Sequence, residues 1–170
     1  IGTVTYYAQW SINSYTLTYN VNGGNAVSPA SKSVQYGSAY GTLPTPTKNS
    51  NAEFTYAFAG WYTAASGGTQ VTANTIMGAG NTTIYAHWTA NIRSHTATFN
   101  GNGGGTPSPS TITRTYGSEL GTLPTCSRTG YTLLGWYTAS SGGSKISSIT
   151  RMIGTVTYYA QWSINSYTLT

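Results

Sequence analysis

The chain has 170 residues, of which 38% are hydrophobic, 14% aromatic and only 5% charged, and its net charge is +5. Ordinary soluble domains carry about 25% charged residues, so the surface must consist of Thr, Ser, Asn, Gly and Tyr, which lets chains pack closely. The basic residues are scattered singly, which argues against a nucleic-acid partner. The sequence has no apolar run of about 18 residues, so no membrane span is predicted.

The elements predicted from residue alternation are short and almost all strands. Residues 15–22 (YTLTYNVN) alternate apolar and polar side chains, which predicts a strand with one apolar face, and Asn22 and Gly23 then suit a turn with positive φ angles. Further strands are predicted at residues 31–37, 56–63 and 82–89. A short strand that ends at Val71 is predicted between the last two. A helical turn is plausible only at residues 72–78. The fold class is therefore mainly β, with at most one short helical turn per unit.

Internal repetition is the dominant feature of the sequence. Four landmarks occur twice in the same order: YTLTYNVNGG and HTATFNGNGG, QYGSAYGTLPTP and TYGSELGTLPTC, AGWYTAASGG and LGWYTASSGG, TTIYAHWT and VTYYAQWS. Each repeated unit is then one small module that contacts the neighbouring units. The sequence therefore predicts a tandem array of small modules.

Residues 1–18 and 153–170 are identical, and the two copies start 152 positions apart (153 − 1). We infer that a pair of units is itself reiterated and that the chain is a window onto a longer array. Residues 1–14 are then the last strand of a preceding repeat, 15–94 are repeat unit 1, 95–166 are repeat unit 2, and 167–170 begin a following repeat. Residues 1–14 should be ordered only where other copies supply their strand partners.

With these landmarks, the sequence resembles the Listeria–Bacteroides repeat, which is related to the internalin B-repeat. The residues that carry the resemblance are the strand followed by NGG, then YG and GTLP, then GWYT with a following GG, and finally YAxW. The resemblance covers nearly the whole chain. It implies a small β-grasp-like module, often in tandem, in secreted or cell-wall proteins of bacteria, where such modules look like spacers and adhesion stalks.

Residues with catalytic or metal-binding potential are few. Glu53 and Glu119 are the only acidic side chains and occupy different places in the two units, so no carboxylate pair is predicted. His87 and His95 align with Gln or Tyr in the other copies, and Cys126 lacks a histidine or a cation cluster that would activate a thiolate. We expect no enzyme, no catalytic or metal site and no cofactor.

The tryptophans are the best candidates for ligand binding, but core packing is the simpler interpretation. Each module has two of them and few other bulky side chains: Trp61 and Trp136 in GWYT, and Trp10, Trp88 and Trp162 in the final strand. We predict a structural segment of a secreted bacterial surface protein, a stalk or extracellular fibre whose partners are further copies of the repeat. The alternative is an adhesin module that binds glycan or a surface protein. Binding residues stay unassigned.

Overall fold

The computed structural model describes residues 2–169, which contain nine strands and no helix. The mainly β fold class is confirmed. The strands are β1 Ser14–Asn20, β2 Ser31–Gln35, β3 Phe54–Tyr62, β4 Gln70–Val71, β5 Thr82–Ile92, β6 Ser94–Asn100, β7 Thr111–Thr115, β8 Tyr131–Tyr137 and β9 Val156–Ile164. By its contacts the chain forms two compact units, Ile1–Asn49 with Tyr56–Asn91, and Ser50–Thr55 with Ile92–Thr170.

The two sheets share one topology, except that the first has an additional edge strand, β4. Their strand orders are β2-β1-β5-β3-β4 and β7-β6-β9-β8. In each sheet the first strand pairs antiparallel with the second, in an up-and-down hairpin. The first strand also pairs in parallel with the last strand: β1 with β5, and β6 with β9. The sequence repeat is therefore a repeat of one fold, in which the first and last strands lie side by side at the centre.

Each unit has its own hydrophobic core. The two cores differ in which equivalent positions hold aromatic side chains. Trp, Met and Ala recur at three buried positions, as Trp61 and Trp136, Met77 and Met152, Ala86 and Ala160. Where β1 pairs with β5, Tyr19 lies opposite Ile84, whereas Phe99 lies opposite Tyr158 in the other sheet. The second pair thus has one more aromatic ring, and Leu120 is buried where the first core has Tyr40, so the ring gained in the strand is offset by one lost from the loop. Burial raises the pKa of the Tyr19 and Tyr158 phenols above the ordinary value.

Residues 72–78, where the sequence allowed a helical turn, form a single hydrogen-bonded turn followed by an extended segment. The Thr75 amide donates to the Thr72 carbonyl at 3.1 Å. The next backbone groups pair with the preceding loop: the Tyr40 amide donates to the Thr75 carbonyl at 2.7 Å and the Met77 amide to the Ser38 carbonyl at 2.8 Å. Because these groups bond across the loop, they cannot serve an i to i+4 ladder.

The NGG turns adopt the backbone that their sequence predicts. Asn22 and Gly23 have φ angles of 48° and 79°, and Asn102 and Gly103 have 46° and 84°. This left-handed conformation is open to Asn and Gly at low cost. The Asn102 side-chain amide donates to the Ser140 and Ala160 carbonyls, both at 2.8 Å. The turn asparagine therefore ties the SGG turn to the last strand of its unit.

The identical terminal segments differ in structure. In the second copy, Val156–Ile164 is strand β9, and Tyr158 and Ala160 are 6% and 0% exposed. In the first copy, residues 2–13 belong to no strand and their side chains are exposed. Since the sequence is the same, the surrounding module decides whether the strand forms. The predicted division into repeat units remains a prediction, and residues 50–55 group by contact with the second unit.

Candidate functional site

The GWYT landmark contacts the GTLP landmark through its tryptophan. The indole N–H of Trp61 donates to the Pro44 carbonyl at 2.7 Å, and that of Trp136 donates to the Pro124 carbonyl at 2.9 Å. Both tryptophans are 2% exposed. A buried indole needs a partner for its N–H, and the proline-terminated loop supplies it. These two tryptophans are core residues, as predicted, and present no face to a ligand.

The YAxW landmark contacts the NGG turn in the same way. The indole N–H of Trp88 donates to the Val21 carbonyl at 3.1 Å, and that of Trp162 donates to the Gly101 carbonyl at 3.0 Å. Both rings are half-buried. Trp10, at the corresponding position of the first terminal segment, is 93% exposed. In each unit the four landmarks thus form two bonded pairs, GWYT with GTLP and YAxW with the NGG turn.

A shallow groove runs beside the half-buried tryptophan of each unit. In the first unit it has a volume of about 400 Å³, and in the second about 250 Å³. A cation lies over an aromatic ring at its edge: Lys48 Nζ is 4.6 Å from the Tyr56 ring centre, and the Arg128 guanidinium is 3.8 Å from that of Tyr131. Cation–π contacts of this kind are attractive by about 0.5–1 kcal/mol at exposed sites. The groove offers amide, hydroxyl and aromatic surface, which suits a neutral polar ligand.

Arg93, the single residue between strands β5 and β6 in the chain, bonds through its backbone on both sides within the second unit, a pattern of two bonds called the joint below. Its amide donates to the Glu53 carbonyl at 2.8 Å, and its carbonyl accepts from the Tyr116 amide at 2.8 Å. Its guanidinium donates to the Asn51 carbonyl. Nearby, His95 Nε2 lies 2.7 Å from the Ala52 carbonyl oxygen and the ring is 8% exposed. The segment at 50–55 thus covers the start of β6.

Half of the same pattern occurs at each terminal segment. The Asn13 carbonyl accepts from the Tyr36 amide at 2.9 Å, as Arg93 does from Tyr116. The Asn165 amide donates to the Gly130 carbonyl at 2.9 Å, as Arg93 does to Glu53. Asn13 and Asn165 are the same residue of the identical segments. The joint is therefore a recurring feature of the repeat.

The reactive side chains considered in the sequence analysis do not gather in one site. Each makes a contact that supports the fold. His87 stacks on Tyr62 with ring centres 3.9 Å apart, and its Nε2 lies 2.9 Å from the Ala64 carbonyl oxygen. The Cys126 thiol donates to the Gly105 carbonyl at 3.0 Å. Among residues 2–169, no three His, Cys, Asp or Glu side chains gather where they could hold a metal ion.

A sequence comparison decides the family. The profile of the Listeria–Bacteroides repeat domain matches the chain twice, at residues 15–87 and 95–161. The chain belongs to the Listeria–Bacteroides repeat family. The resemblance drawn from the four landmarks is thereby confirmed. The two matched segments contain the first three landmarks whole and the fourth up to the residue before its tryptophan, Trp88 or Trp162, so the contacts between GWYT and GTLP lie within single Listeria–Bacteroides repeats.

Relatives that contain these repeats are longer proteins. Two from Evansella cellulosilytica, named as a membrane protein and a Gly-rich membrane protein, are 32% and 31% identical over 96% and 98% of this chain. Internalin H of Listeria monocytogenes is 39% identical over 61% of the chain. The chain spans 23%, 18% and 18% of these proteins. They support a cell-surface repeat role. No solved structure matches, and none of the described residues forms a helix that could cross a membrane.

Two features of the candidate surfaces were missed by the sequence analysis. The cations Lys48 and Arg128 were treated as scattered charges, although each precedes the tyrosine that its charge covers. Comparing the repeats position by position would have shown that both keep a cation in the variable loop and a tyrosine in the strand that follows it. The joint at Arg93 had no such signal, because it depends on backbone groups that every residue carries.

Proposed function

We propose that this chain is a structural segment of a secreted bacterial surface protein, where its repeats form a stalk or an extracellular fibre. The observation that carries the proposal is the parallel pairing of the first and last strands in each repeat. The chain enters the first repeat through β1 and leaves it through β5, and Leu17–Asn20 pair in register with Thr82–Tyr85.

This pairing fixes how a repeat responds to tension. Because adjacent parallel strands run in one direction, the start of β1 and the end of β5 lie at opposite ends of the strand pair. Tension along the chain then pulls the strands past each other and loads all the hydrogen bonds of the pair together. The second repeat has the same arrangement, with Ala97–Asn100 paired to Val156–Tyr159. A stalk made of such repeats resists extension in the direction in which it is used.

Composition and the joint support the same role. Because only 5% of the residues in the chain are charged, packing between copies meets little charge repulsion and depends little on salt or pH. The joint at Arg93 supports repeats as partners, because Arg93 makes both backbone bonds of the pattern and Asn13 and Asn165 each make one of them. In a longer array, one residue at each junction would make both bonds, so that length grows by repetition. The partners we propose are further copies of the repeat.

Single-molecule pulling tests the mechanical role directly. Handles are attached at cysteines that replace Ser14 and Ile92 in one variant, and Ser14 and Gln35 in a second, both in a chain with Cys126→Ser. The first pair loads the parallel strands in shear, whereas Ser14 and Gln35 are paired residues of the β1–β2 hairpin, which this geometry unzips bond by bond.

We expect the shear variant to unfold at a force several times that of the unzipping variant. The expected gain in length on unfolding is roughly 200–250 Å for the shear variant, from about 3.3–3.6 Å per extended residue. Equal unfolding forces in the two directions would contradict a role in carrying tension.

A second candidate function is multivalent binding of a glycan or a surface protein. The groove beside Trp88 and Trp162 favours it, because it occurs at the same place in both repeats and carries a cation and an aromatic ring. Repetition would then raise avidity. The stalk is the better supported function, because the indole N–H of each of these tryptophans is already bonded to the NGG turn.

A further inference from the structure

Lys48 and Arg128 differ from most cations of the chain in what their head groups contact. Four of the seven basic side chains donate to backbone carbonyl oxygens: Lys32, Arg93, Arg114 and Arg151. Lys48 and Arg128 instead lie over the rings of Tyr56 and Tyr131. Within residues 2–169, neither head group makes a hydrogen bond or an ion pair. Both cations are half-buried and keep their N–H donors for another acceptor.

The two repeats hold this cation at the same place. Lys48 and Arg128 each stand four residues after the proline of GTLP (48 − 44 and 128 − 124), and no other aligned position carries a cation in both repeats. A Cβ at Gly23 would lie 3.5 Å from Lys48 Nζ, and one at Gly103 would lie 3.4 Å from Arg128 Nη1. The NGG turn therefore borders the cation on one side and the tyrosine ring borders it on the other. A chain with only 5% charged residues thus places a positive charge twice in the same surroundings.

The sequence supplies no carboxylate side chain to these grooves. Glu53 and Glu119 are its only acidic residues, and neither lines the groove beside the half-buried tryptophan of either repeat. A carboxylate that reached the groove would accept charge-assisted hydrogen bonds, which are about twice as strong as those between neutral groups. The Arg128 guanidinium can bind it through two parallel N–H donors, and the Lys48 ammonium as a point charge. The negative charge that complements the groove must therefore come from a ligand.

The rest of the groove suits the neutral part of such a ligand. Ser66 lines it with Trp88 in the first repeat, and Ser140 and Ser141 line it with Trp162 in the second. A sugar ring carries hydroxyl groups around its edge and C–H groups on its faces, so it can bond to the serines and lie against an indole. Since each indole N–H is already bonded within its repeat, the tryptophan offers its ring surface alone. A site for a small apolar ligand would need mostly apolar walls, which this groove lacks.

We propose that the groove of each repeat binds one carboxylate-bearing sugar residue of an acidic polysaccharide. Lys48 or Arg128 bonds to the carboxylate, and Trp88 or Trp162 lies against the sugar ring. The proposal deepens the second candidate function and rests on it, since it names the chemical class of the glycan. A single shallow groove binds weakly, but a polysaccharide with many carboxylates engages several repeats at once, which raises avidity. An acidic peptide would complement the cation but brings no hydroxyl-bearing ring to the serines and the indole.

Three polymers separate the contribution of charge from that of the sugar ring, and each is titrated into the 170-residue chain. Polygalacturonate carries a carboxylate on each sugar ring, its methyl ester keeps the ring without the charge, and polyglutamate keeps the charge without the ring. Dissociation constants are measured by isothermal titration calorimetry at ~0.15 M ionic strength, where attraction between charges more than ~8 Å apart is largely screened. We expect polygalacturonate to bind at least about tenfold more tightly than either other polymer, since one charge-assisted hydrogen bond is worth about that factor and each other polymer lacks one set of contacts.

Two double variants of equal net charge test which cations bind the polymer. Lys48→Gln with Arg128→Gln removes both groove cations, whereas Lys145→Gln with Arg151→Gln removes one exposed lysine and one exposed arginine that line neither groove. Each variant lowers the net charge from +5 to +3 (5 − 2). We expect the groove variant to bind polygalacturonate at least about tenfold more weakly than the unmodified chain, and the control variant to stay within about twofold. Circular dichroism checks that both variants are folded, and the comparison of polymers needs no variant.

Four results would overturn the proposal. Equal binding of the methyl ester would remove the carboxylate contact but would keep glycan binding as a function. Equal binding of polyglutamate would favour an acidic peptide as the partner. A groove variant that binds like its control would place the contact elsewhere on the chain. Absence of binding to all three polymers would overturn the acidic polysaccharide and weaken the second candidate function with it, while the pulling experiment would still test the structural role independently.

Discussion

Replacing Leu17 by Ala is expected to destabilise the first unit by about 2–5 kcal/mol, whereas replacing Leu169 by Ala should change stability by less than about 0.5 kcal/mol. Both leucines lie in the same five-residue sequence, SYTLT, at residues 14–18 and 166–170. Leu17 is 0% exposed in the core beside β5, and Leu169 is 100% exposed. Local sequence is thus held constant while burial changes completely.

The measurement is the free energy of unfolding of the first unit, taken from native-state hydrogen exchange of β1 and β5 amides. The loss follows from the transfer of leucine methyl groups to water and from the cavity that remains. In the 170-residue chain Leu169→Ala is the matched control, since it makes the same chemical change at an exposed position. Equal effects of the two substitutions would show that Leu17 of β1 is not part of the core of the first unit.

Replacing Gly104 by Ala is the second change with a large expected effect, a loss of about 3 kcal/mol or more at the upper end of the overpacking range. A Cβ at Gly104 would lie 2.3 Å from Cζ2 of Trp162 and 3.0 Å from the Ser127 carbonyl oxygen. The indole cannot move away freely, because its N–H is bonded to the Gly101 carbonyl at 3.0 Å. Only glycine fits at position 104, because any side chain there would collide with the Trp162 ring.

Gly154→Ala is the control for this prediction, because a Cβ there meets no atom within 4 Å. The comparison uses tryptophan fluorescence and urea unfolding of the two variants. For Gly104→Ala we expect a changed emission from Trp162 and a lower unfolding midpoint for the second unit, whereas Gly154→Ala should match the unmodified chain. A Gly104→Ala chain with unchanged stability would mean that the NGG turn is not held against Trp162.

The strands of the fold could be predicted from the sequence because their signal is local. Alternation of apolar and polar residues placed the strand at 82–89, and the structure extends it to Ile92. The NGG turns followed from the freedom of Asn and Gly to adopt positive φ. The burial of Trp61 and Trp136 followed from the scarcity of other bulky side chains in each module.

The pairing of the strands could not be predicted in this way. Alternation tells which face of β1 is apolar, but it does not say that β5, more than sixty residues later, lies beside it in parallel. Residues 72–78 show the same limit, since their backbone bonds are set by the loop at Ser38–Tyr40. The candidate surfaces could not be predicted from the sequence either. The joint at Arg93 uses backbone groups, which every residue carries. The groove at Lys48 forms only where segments distant in sequence meet.

Electron microscopy of the native protein tests the central claim most directly. If the repeats are a structural array, the protein should form extended stalks or filaments with an axial repeat that corresponds to one pair of units, the 152 residues that separate the identical segments. Compact particles without an axial repeat would contradict the claim. They would favour the second candidate function, ligand binding at the groove beside Trp88 and Trp162.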